Sequence, residues 1–270
     1  FNNIKITSPL IGIDKKKNSF FVNGQLLSEK KNFNVKEFEP FFSNLLKTID
    51  LQKLTFSSKN NFSFNVNRKF KFKDFKVETT VDLNQLIINE KRFKLKKYFP
   101  NFSEKIKLEK HKIIINYDKN KFDINGNGNI LLKEKSDKLS YQISKEKDGF
   151  LFDLKLNLKN NSLLIDFLDF KKKEGLNSLI SIKGKHKKNN QIILDLINLK
   201  AGKDEFLIKG LDLNKNFKIT DIKNLNINYQ NDKKIFNILN LKKDNLNFIL
   251  EGESFDASKI IDNIMNSDDD

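Results

Sequence analysis

Apolar and polar residues alternate along most of this chain. Phe62, Phe64 and Val66 are separated by Ser63 and Asn65, and Phe70 and Phe72 follow with Lys71 between them. After a shift at Asp74 and Phe75 the apolar positions run Phe75, Val77, Val81 and Leu83, with Thr79 in the series. Phe150, Phe152, Leu154, Leu156 and Leu158 alternate with Leu151, Asp153, Lys155 and Asn157. Later series are Phe206 and Ile208, Phe217 and Ile219, Leu225, Ile227 and Tyr229, then Leu246, Phe248 and Leu250. Successive strand side chains point to opposite faces, so each segment predicts a strand with one apolar face and one Lys/Asn face. That pattern belongs to antiparallel strands wetted on one side rather than to doubly covered parallel ones.

Turn residues punctuate the series at Lys119-Asn120, Asn125-Gly126-Asn127-Gly128, Asp148-Gly149, Asn160-Asn161, Asn189-Asn190, Asn214-Lys215-Asn216 and Asn231-Asp232. Asn and Gly accept the positive φ of tight hairpins, which predicts a long meander. Helical spacing is confined to three short places. Phe41, Phe42, Leu45, Leu46 and Ile49 follow Pro40, Ile260, Ile261, Ile264 and Met265 follow a cap at Ser254 or Asp256, and residues 83–89 form a weaker third. The expected fold class is all-β, mainly antiparallel: a long curved meander sheet forming an open groove, with two or three short helices. Residues 1–265 are expected to be a single elongated β-groove segment, with room for a sub-boundary near 90–110, and 266–270 an acidic linker.

Composition narrows the chemistry. There is no cysteine, which removes disulfides, thiolate metal sites and cysteine nucleophiles, and the only histidines, His111 and His186, sit among lysines as expected solvated strand-end residues. The net charge of +16 would suggest an anionic partner, but only Arg68 and Arg92 are arginine, the residue that bidentate phosphate recognition favours. Abundant Lys, Asn, Ile and Phe beside only two alanines is what an A/T-rich coding sequence yields without selection for charge, so no nucleic-acid partner is expected. No phosphate loop, Gly-x-Ser-x-Gly elbow or His-Glu-x-x-His occurs, and Gly126-Asn127-Gly128 is expected to be a turn entering a strand. Acidic pairs such as Asp204-Glu205 and Asp166/Asp169 are expected in any chain with 35 acids. The expectation is a protein that is not an enzyme, with no cofactor and no metal. No run approaches the roughly 18 apolar residues of a membrane helix, and the absence of Trp with only four Tyr argues against the aromatic girdles of a membrane β-barrel.

The apolar face itself is then the feature to explain, because it must be covered by something. In a sandwich two such faces cover each other, in a barrel the sheet covers itself, and in an open curved sheet the face lines a groove for an apolar ligand such as acyl chains. Large Phe, Leu and Ile dominate the inward positions with little small-residue tailoring, which favours the groove. The candidate lining is Phe62, Phe64, Val66, Phe70, Phe72, Phe150, Phe152, Leu154, Leu156, Phe206, Ile208, Phe217, Ile219, Phe248 and Leu250.

The stretch from Leu246 to Ile261, with Phe248-Ile249-Leu250-Glu251-Gly252-Glu253-Ser254-Phe255-Asp256-Ala257, resembles the strand, Gly, Ser/Ala, Phe/Leu, Asp, short-helix segment near the C-terminal part of the AsmA-like superfamily, especially its YhdP-like members. The Gly210-Leu211-Asp212-Leu213 strand and the strand after Phe217 resemble the ladder that leads into it. The specific match covers a short C-terminal part of the chain. The resemblance implies a periplasmic bridge protein anchored to the inner membrane by an N-terminal helix. Its β-groove would carry phospholipid between inner and outer membranes and support outer-membrane biogenesis. Its partners would be phospholipid acyl chains and, through the anchor, the membrane, and the family brings no catalytic residues to carry over. The start at Phe1, with no signal peptide, is expected of an internal piece whose anchor lies outside it. The alternative is a structural or adhesive surface β-sandwich.

Overall fold

The computed structural model describes residues 5–33, 50–90 and 94–265. Its strands are β1 (Ile6–Lys15), β2 (Ser19–Phe33), β3 (Asp50–Asn67), β4 (Phe72–Asn89), β5 (Lys105–Tyr117), β6 (Phe122–Leu131), β7 (Ser136–Glu146) and β8 (Gly149–Leu158). There follow β9 (Leu163–Ile165), β10 (Phe170–Lys172), β11 (Ser178–Lys187), β12 (Ile192–Ala201), β13 (Asp204–Leu213), β14 (Ile219–Gln230), β15 (Phe236–Asp244) and β16 (Asn247–Ser254), then one helix, α1 (Ser258–Met265). Fourteen strands form one antiparallel sheet in chain order, β1 to β8 and then β11 to β16, and β9–β10 make a separate two-stranded ladder. The terminal strands β1 and β16 do not pair, so the sheet is an open meander and not a barrel. Among the described residues the β9–β10 ladder is the only other sheet. Contacts divide the chain into two units: Phe1–Asn89 with Lys105–Leu131 and Ser140–Lys145, and Glu90–Glu104 with Leu132–Leu139 and Glu146–Asp270.

Partners directly across an antiparallel ladder share a face, so the register shows which side chains lie together. In the second unit the apolar series slips by one residue in three neighbouring strands at the same level. The apolar sets step from Leu194 to Ile197 in β12, from Ile208 to Leu211 in β13 and from Ile222 to Leu225 in β14, and these residues remain paired with one another across the ladders. A register shift beside Gly184 starts the slip, and Gly210 at φ +63° accommodates it in β13. The first unit uses the same device. Leu83 and Leu86 of β4 pair with His111 and Leu108 of β5, with Lys110 held at φ +54° between them.

These slips correct one expectation. Residues 83–89 are not a helix but the end of β4; the three-residue step from Leu83 to Leu86 that imitates helical spacing is a strand changing phase. The expected helix around residues 39–49 lies outside the described residues, and α1 stands where the last apolar stripe placed it.

The hairpin turns also share one construction. In Asn67–Lys71, Lys187–Gln191, Asn214–Lys218 and Asn231–Ile235 the first residue exchanges two backbone hydrogen bonds with the fourth and fifth. The fourth residue is left-handed in each: Phe70, Asn190, Phe217 and Lys234, with φ between 54° and 64°. A type I turn followed by an αL residue is a standard three-residue hairpin loop. The Asn67 Oδ1 atom accepts the Lys69 and Lys71 N–H groups at 2.9 Å each, and Asn214 Oδ1 does the same for Asn216 and Lys218. Phe70 and Phe217 are therefore turn residues rather than inward strand positions, and Phe70 is 82% exposed. Conversely, Gly126 and Gly128 are not in a turn but in the interior of β6.

An aromatic residue in the left-handed region costs about 1–2 kcal/mol. Phe217→Gly is accordingly expected to raise unfolding stability by about 1 kcal/mol, read as a higher denaturant midpoint with unchanged slope. A lower midpoint would mean that the Phe217 ring makes contacts worth more than the strain.

Candidate functional site

The apolar face of the second unit can be followed strand by strand. Phe150, Phe152, Leu154 and Leu156 of β8 lie opposite His186, Gly184, Ile182 and Ile180 of β11. Ile180 and Ile182 lie opposite Leu199 and Ile197 of β12, which oppose Phe206 and Ile208 of β13, which oppose Ile227 and Leu225 of β14. The series continues through Leu239 and Leu241 of β15 to Gly252 and Leu250 of β16, with Phe248 opposite Lys243. Each apolar cross-strand pair contributes roughly 0.2–1 kcal/mol, so the face is a continuous hydrophobic sheet surface rather than a set of isolated contacts. The reverse side carries the polar positions, with exposed ion pairs such as Lys183–Asp153 at 3.0 Å and Lys200–Glu205 at 3.2 Å, which add little.

The first unit has its own apolar face. Phe64 packs against Phe62, Phe72 and Phe75, Phe75 against Tyr117, and Tyr117 against Phe122, an aromatic ladder with ring centroids 5.3–6.4 Å apart across β3 to β6. A polar seam interrupts this face. Ser28 and Ser58 hydroxyls lie 2.9 Å apart, the Asn60 amide donates to Ser58 and to the Leu26 carbonyl, and Thr79 donates to Asn60 Oδ1 at 2.8 Å. Further along, the His111 and Tyr141 rings stack with centroids 5.8 Å apart. A Cβ at Gly128 would lie 2.3 Å from the His111 ring, and one at Gly126 would lie 2.3 Å from the Tyr141 ring. The two glycines are thus seats for rings, and His111, only 2% exposed, is a core residue rather than the solvated one its lysine neighbours suggested. Its Nε2 lies 3.0 Å from the Asn129 carbonyl. His186 does stand beside a turn, on the apolar side of β11 opposite Phe150.

One end of the second unit's face is closed by the chain itself. Between β8 and β11 residues 159–177 leave the meander, form the β9–β10 hairpin with a 3₁₀ turn at Asp166–Leu168, and lay Phe170 on the face. The Phe170 ring lies 4.6 Å from that of Phe206 and 5.6 Å from that of Tyr229, both edge-on. Phe170 and Tyr229 are each 1% exposed. The Tyr229 hydroxyl donates to the Leu168 carbonyl. Burial, with Asp256 and Asp169 nearby, pushes the Tyr229 phenol up to about 12.

The root of the excursion is pinned by two charged side chains. Asp137 Oδ1 accepts the Lys159 and Asn160 N–H groups at 2.8 Å each, and Oδ2 accepts the Asn161 side-chain amide at 2.7 Å. Lys172, buried with its backbone in β10, donates from Nζ to the Lys159 and Asn161 carbonyls at 3.1 and 2.6 Å. Desolvation lowers the Lys172 pKa against the pull of Asp137 and Glu174. Helix α1 packs on the 3₁₀ turn. Its cap is Asp256, which accepts the Ser258 hydroxyl and N–H and sits 3.2 Å from Lys233 Nζ; these contacts hold its carboxyl down at about 2.

No family model, curated protein or solved structure significantly matches the chain. The geometry therefore stands alone. Of the sequence-predicted lining, Phe62, Phe64, Val66 and Phe72 share the first unit's apolar face. Phe150, Phe152, Leu154, Leu156, Phe206, Ile208, Ile219, Phe248 and Leu250 share the second unit's. Phe70 and Phe217 belong to neither. The closing hairpin was missed, although residues 163–170 carry Leu163, Leu164, Ile165, Phe167, Leu168 and Phe170 without period two. Asp166 and Asp169, one at the start of the 3₁₀ turn and one in the left-handed position after it, shape that hairpin. Among the described residues no group of three or more acidic or histidine side chains is placed to hold a metal ion, and no helix is long and apolar enough to cross a membrane.

Phe170→Ala is expected to cost about 3–5 kcal/mol of stability, and Tyr229→Phe about 1 kcal/mol, both by denaturant unfolding. Because the folded phenol pKa lies above the unfolded value of about 10, the tyrosine's contribution is full below pH 10 and is lost as pH rises through about 12. The wild-type chain should thus lose more stability across that window than Tyr229→Phe; equal losses would mean that the Tyr229 hydroxyl does not help hold the hairpin.

Proposed function

We propose that this chain is a non-enzymatic segment of an AsmA/YhdP-like envelope protein, whose apolar sheet face carries phospholipid between inner and outer membranes. The observation that carries the reading is the apolar face, continuous in register from β8 through β11 to β16 and covered, among the described residues, by no sheet other than the short β9–β10 ladder at one end. Away from the closing hairpin it stays open: Ile219 is 65% and Leu250 62% exposed. An exposed apolar surface larger than a few hundred Å² marks a binding surface. Acyl chains suit a face with no directional chemistry, since each contact gains about 25 cal/mol per Å². The Leu246–Ile261 segment supports the family assignment: β16 carries Gly252, and Asp256 caps a short helix, in the order the resemblance requires. In this reading the protein works in the periplasm, tethered to the inner membrane through a segment outside this chain.

The test is native mass spectrometry of the purified 270-residue chain, followed by organic extraction and lipid analysis. Phospholipid is expected to co-purify with wild type and with Phe70→Asp, and to be lost from folded Phe152→Asp and Leu154→Lys. A folded wild-type chain that carries no lipid, and takes none up from vesicles, would overturn the reading in favour of a structural or adhesive role.

A further inference from the structure

One turn of the first unit holds an aromatic ring where the folded chain returns little for it. In the Asn67–Lys71 loop between β3 and β4, Phe70 takes a left-handed φ of 54° and is 82% exposed, the highest exposure of any described phenylalanine. Gly or Asn would avoid the steric cost of that conformation, and a ring so exposed recovers little of it by packing. Strain of this kind collects where a site uses it. Behind the ring, Phe72 lies opposite Val66 and Val66 opposite Phe20, an apolar row that reaches the turn. Cations surround the same tip. Residues 15–19 and 67–71 carry Lys15, Lys16, Lys17, Arg68, Lys69 and Lys71, and no acid. The two loops are neighbours: Ser19 pairs with Asn67, and Arg68 Nη2 donates to the Lys17 carbonyl at 3.2 Å. Among the described residues none of these six cations is ion-paired, and the nearest acid of β4, Asp74, already accepts the Asn65 amide at 3.0 Å.

We infer that this tip docks on an anionic bilayer surface, with the Phe70 ring in the interfacial layer and the six cations at the lipid phosphates. Docking belongs to the first unit and does not depend on carriage by the second unit's face. Lysines alone choose no occupant, since they are spread along the whole chain. What singles out this tip is a protruding ring at the centre of a cluster of one sign. The left-handed backbone sets Phe70 beyond the last strand pair, Val66 with Phe72, instead of on the sheet face. A protein partner needs a complementary patch of about 800 Å² per side. A bilayer takes up a single ring between its headgroups, while anionic lipids meet the cations around it.

The chain has no tryptophan, so Phe70→Trp makes a single fluorescent reporter at the tip, and Phe236→Trp makes one at an exposed ring outside it. The 270-residue chain is mixed with vesicles of phosphatidylglycerol and phosphatidylcholine in equal parts, and with vesicles of phosphatidylcholine alone. Binding to the anionic vesicles is expected, weakening as salt is added. On binding, Phe70→Trp emission shifts to the blue and is quenched by brominated acyl chains, while Phe236→Trp emission stays unchanged. Phe70→Gly suits the left-handed backbone and so keeps the turn; it is expected to weaken vesicle binding about ten-fold. Lys69→Gln combined with Lys71→Gln is expected to weaken it about five-fold for each charge removed. A folded chain that binds neither vesicle overturns the docking and leaves the tip to a protein or nucleic-acid partner. Equal binding to both vesicles, or anionic binding with no blue shift and no loss in Phe70→Gly, overturns it as well. None of these outcomes changes whether phospholipid co-purifies with the chain, so the carriage reading stands or falls separately.

Discussion

The constraint on which this structure depends is the pairing of apolar residues in register along one side of an antiparallel meander. A strand that slips by a single residue moves all of its side chains to the opposite face. This chain changes phase within strands and keeps the face, because neighbouring strands change phase together. Leu194, Leu211 and Ile222 form one row and Ile197, Ile208 and Leu225 the next, although each strand has a three-residue step between them. Gly210 and Lys110 take positive φ where the backbone must turn over. Gly210 does so without strain, while at Lys110 the left-handed backbone is a local cost that the hydrophobic rows on either side offset.

Two kinds of stabilisation meet on this face. Where the chain closes the face with its own hairpin, Phe170 and Tyr229 are almost fully buried and the polar groups that hold the hairpin are paired. Tyr229 serves Leu168, Lys172 serves two carbonyls, and Asp137 gathers three donors. Such satisfied buried networks specify one arrangement, whereas a half-satisfied one would be costly. Where the face is open, Ile219 and Leu250 stay 65% and 62% exposed. The sheet is held there by its ladder hydrogen bonds and row pairing.

Strand identity and the wet face were legible because period two is a local signal. The four hairpin turns beginning at Asn67, Lys187, Asn214 and Asn231 were only partly so. Asn189-Asn190, Asn214 and Asn231 announce themselves, but Phe70 and Phe217 continue the alternation in sequence while the backbone has already left the strand. The 83–89 error has the opposite origin: a strand phase change writes an i, i+3 spacing that one sequence segment cannot distinguish from a helix turn. The partner row in β5, Leu108 and His111, resolves it, and that pairing is a tertiary fact. For the same reason Gly126 and Gly128 resemble turn residues until the rings of Tyr141 and His111 are seen to need the space.

The closing hairpin was illegible for a different reason. It breaks the alternation, so period-two reading discards it as a loop, yet residues 159–177 are far longer than a hairpin connection of about two to five residues. A long, apolar, non-alternating excursion between two one-sided strands has only one apolar surface within reach, the face those strands build. Length and hydrophobicity together could therefore have placed Leu163, Leu168 and Phe170 on it. What they could not have supplied is which end it covers. That follows from the excursion leaving β8 after Leu158 and rejoining at Ser178, whose hydroxyl donates to the Leu158 carbonyl at 2.8 Å. Both roots lie at the same end of the sheet, so the hairpin folds back over that end and leaves the opposite one exposed.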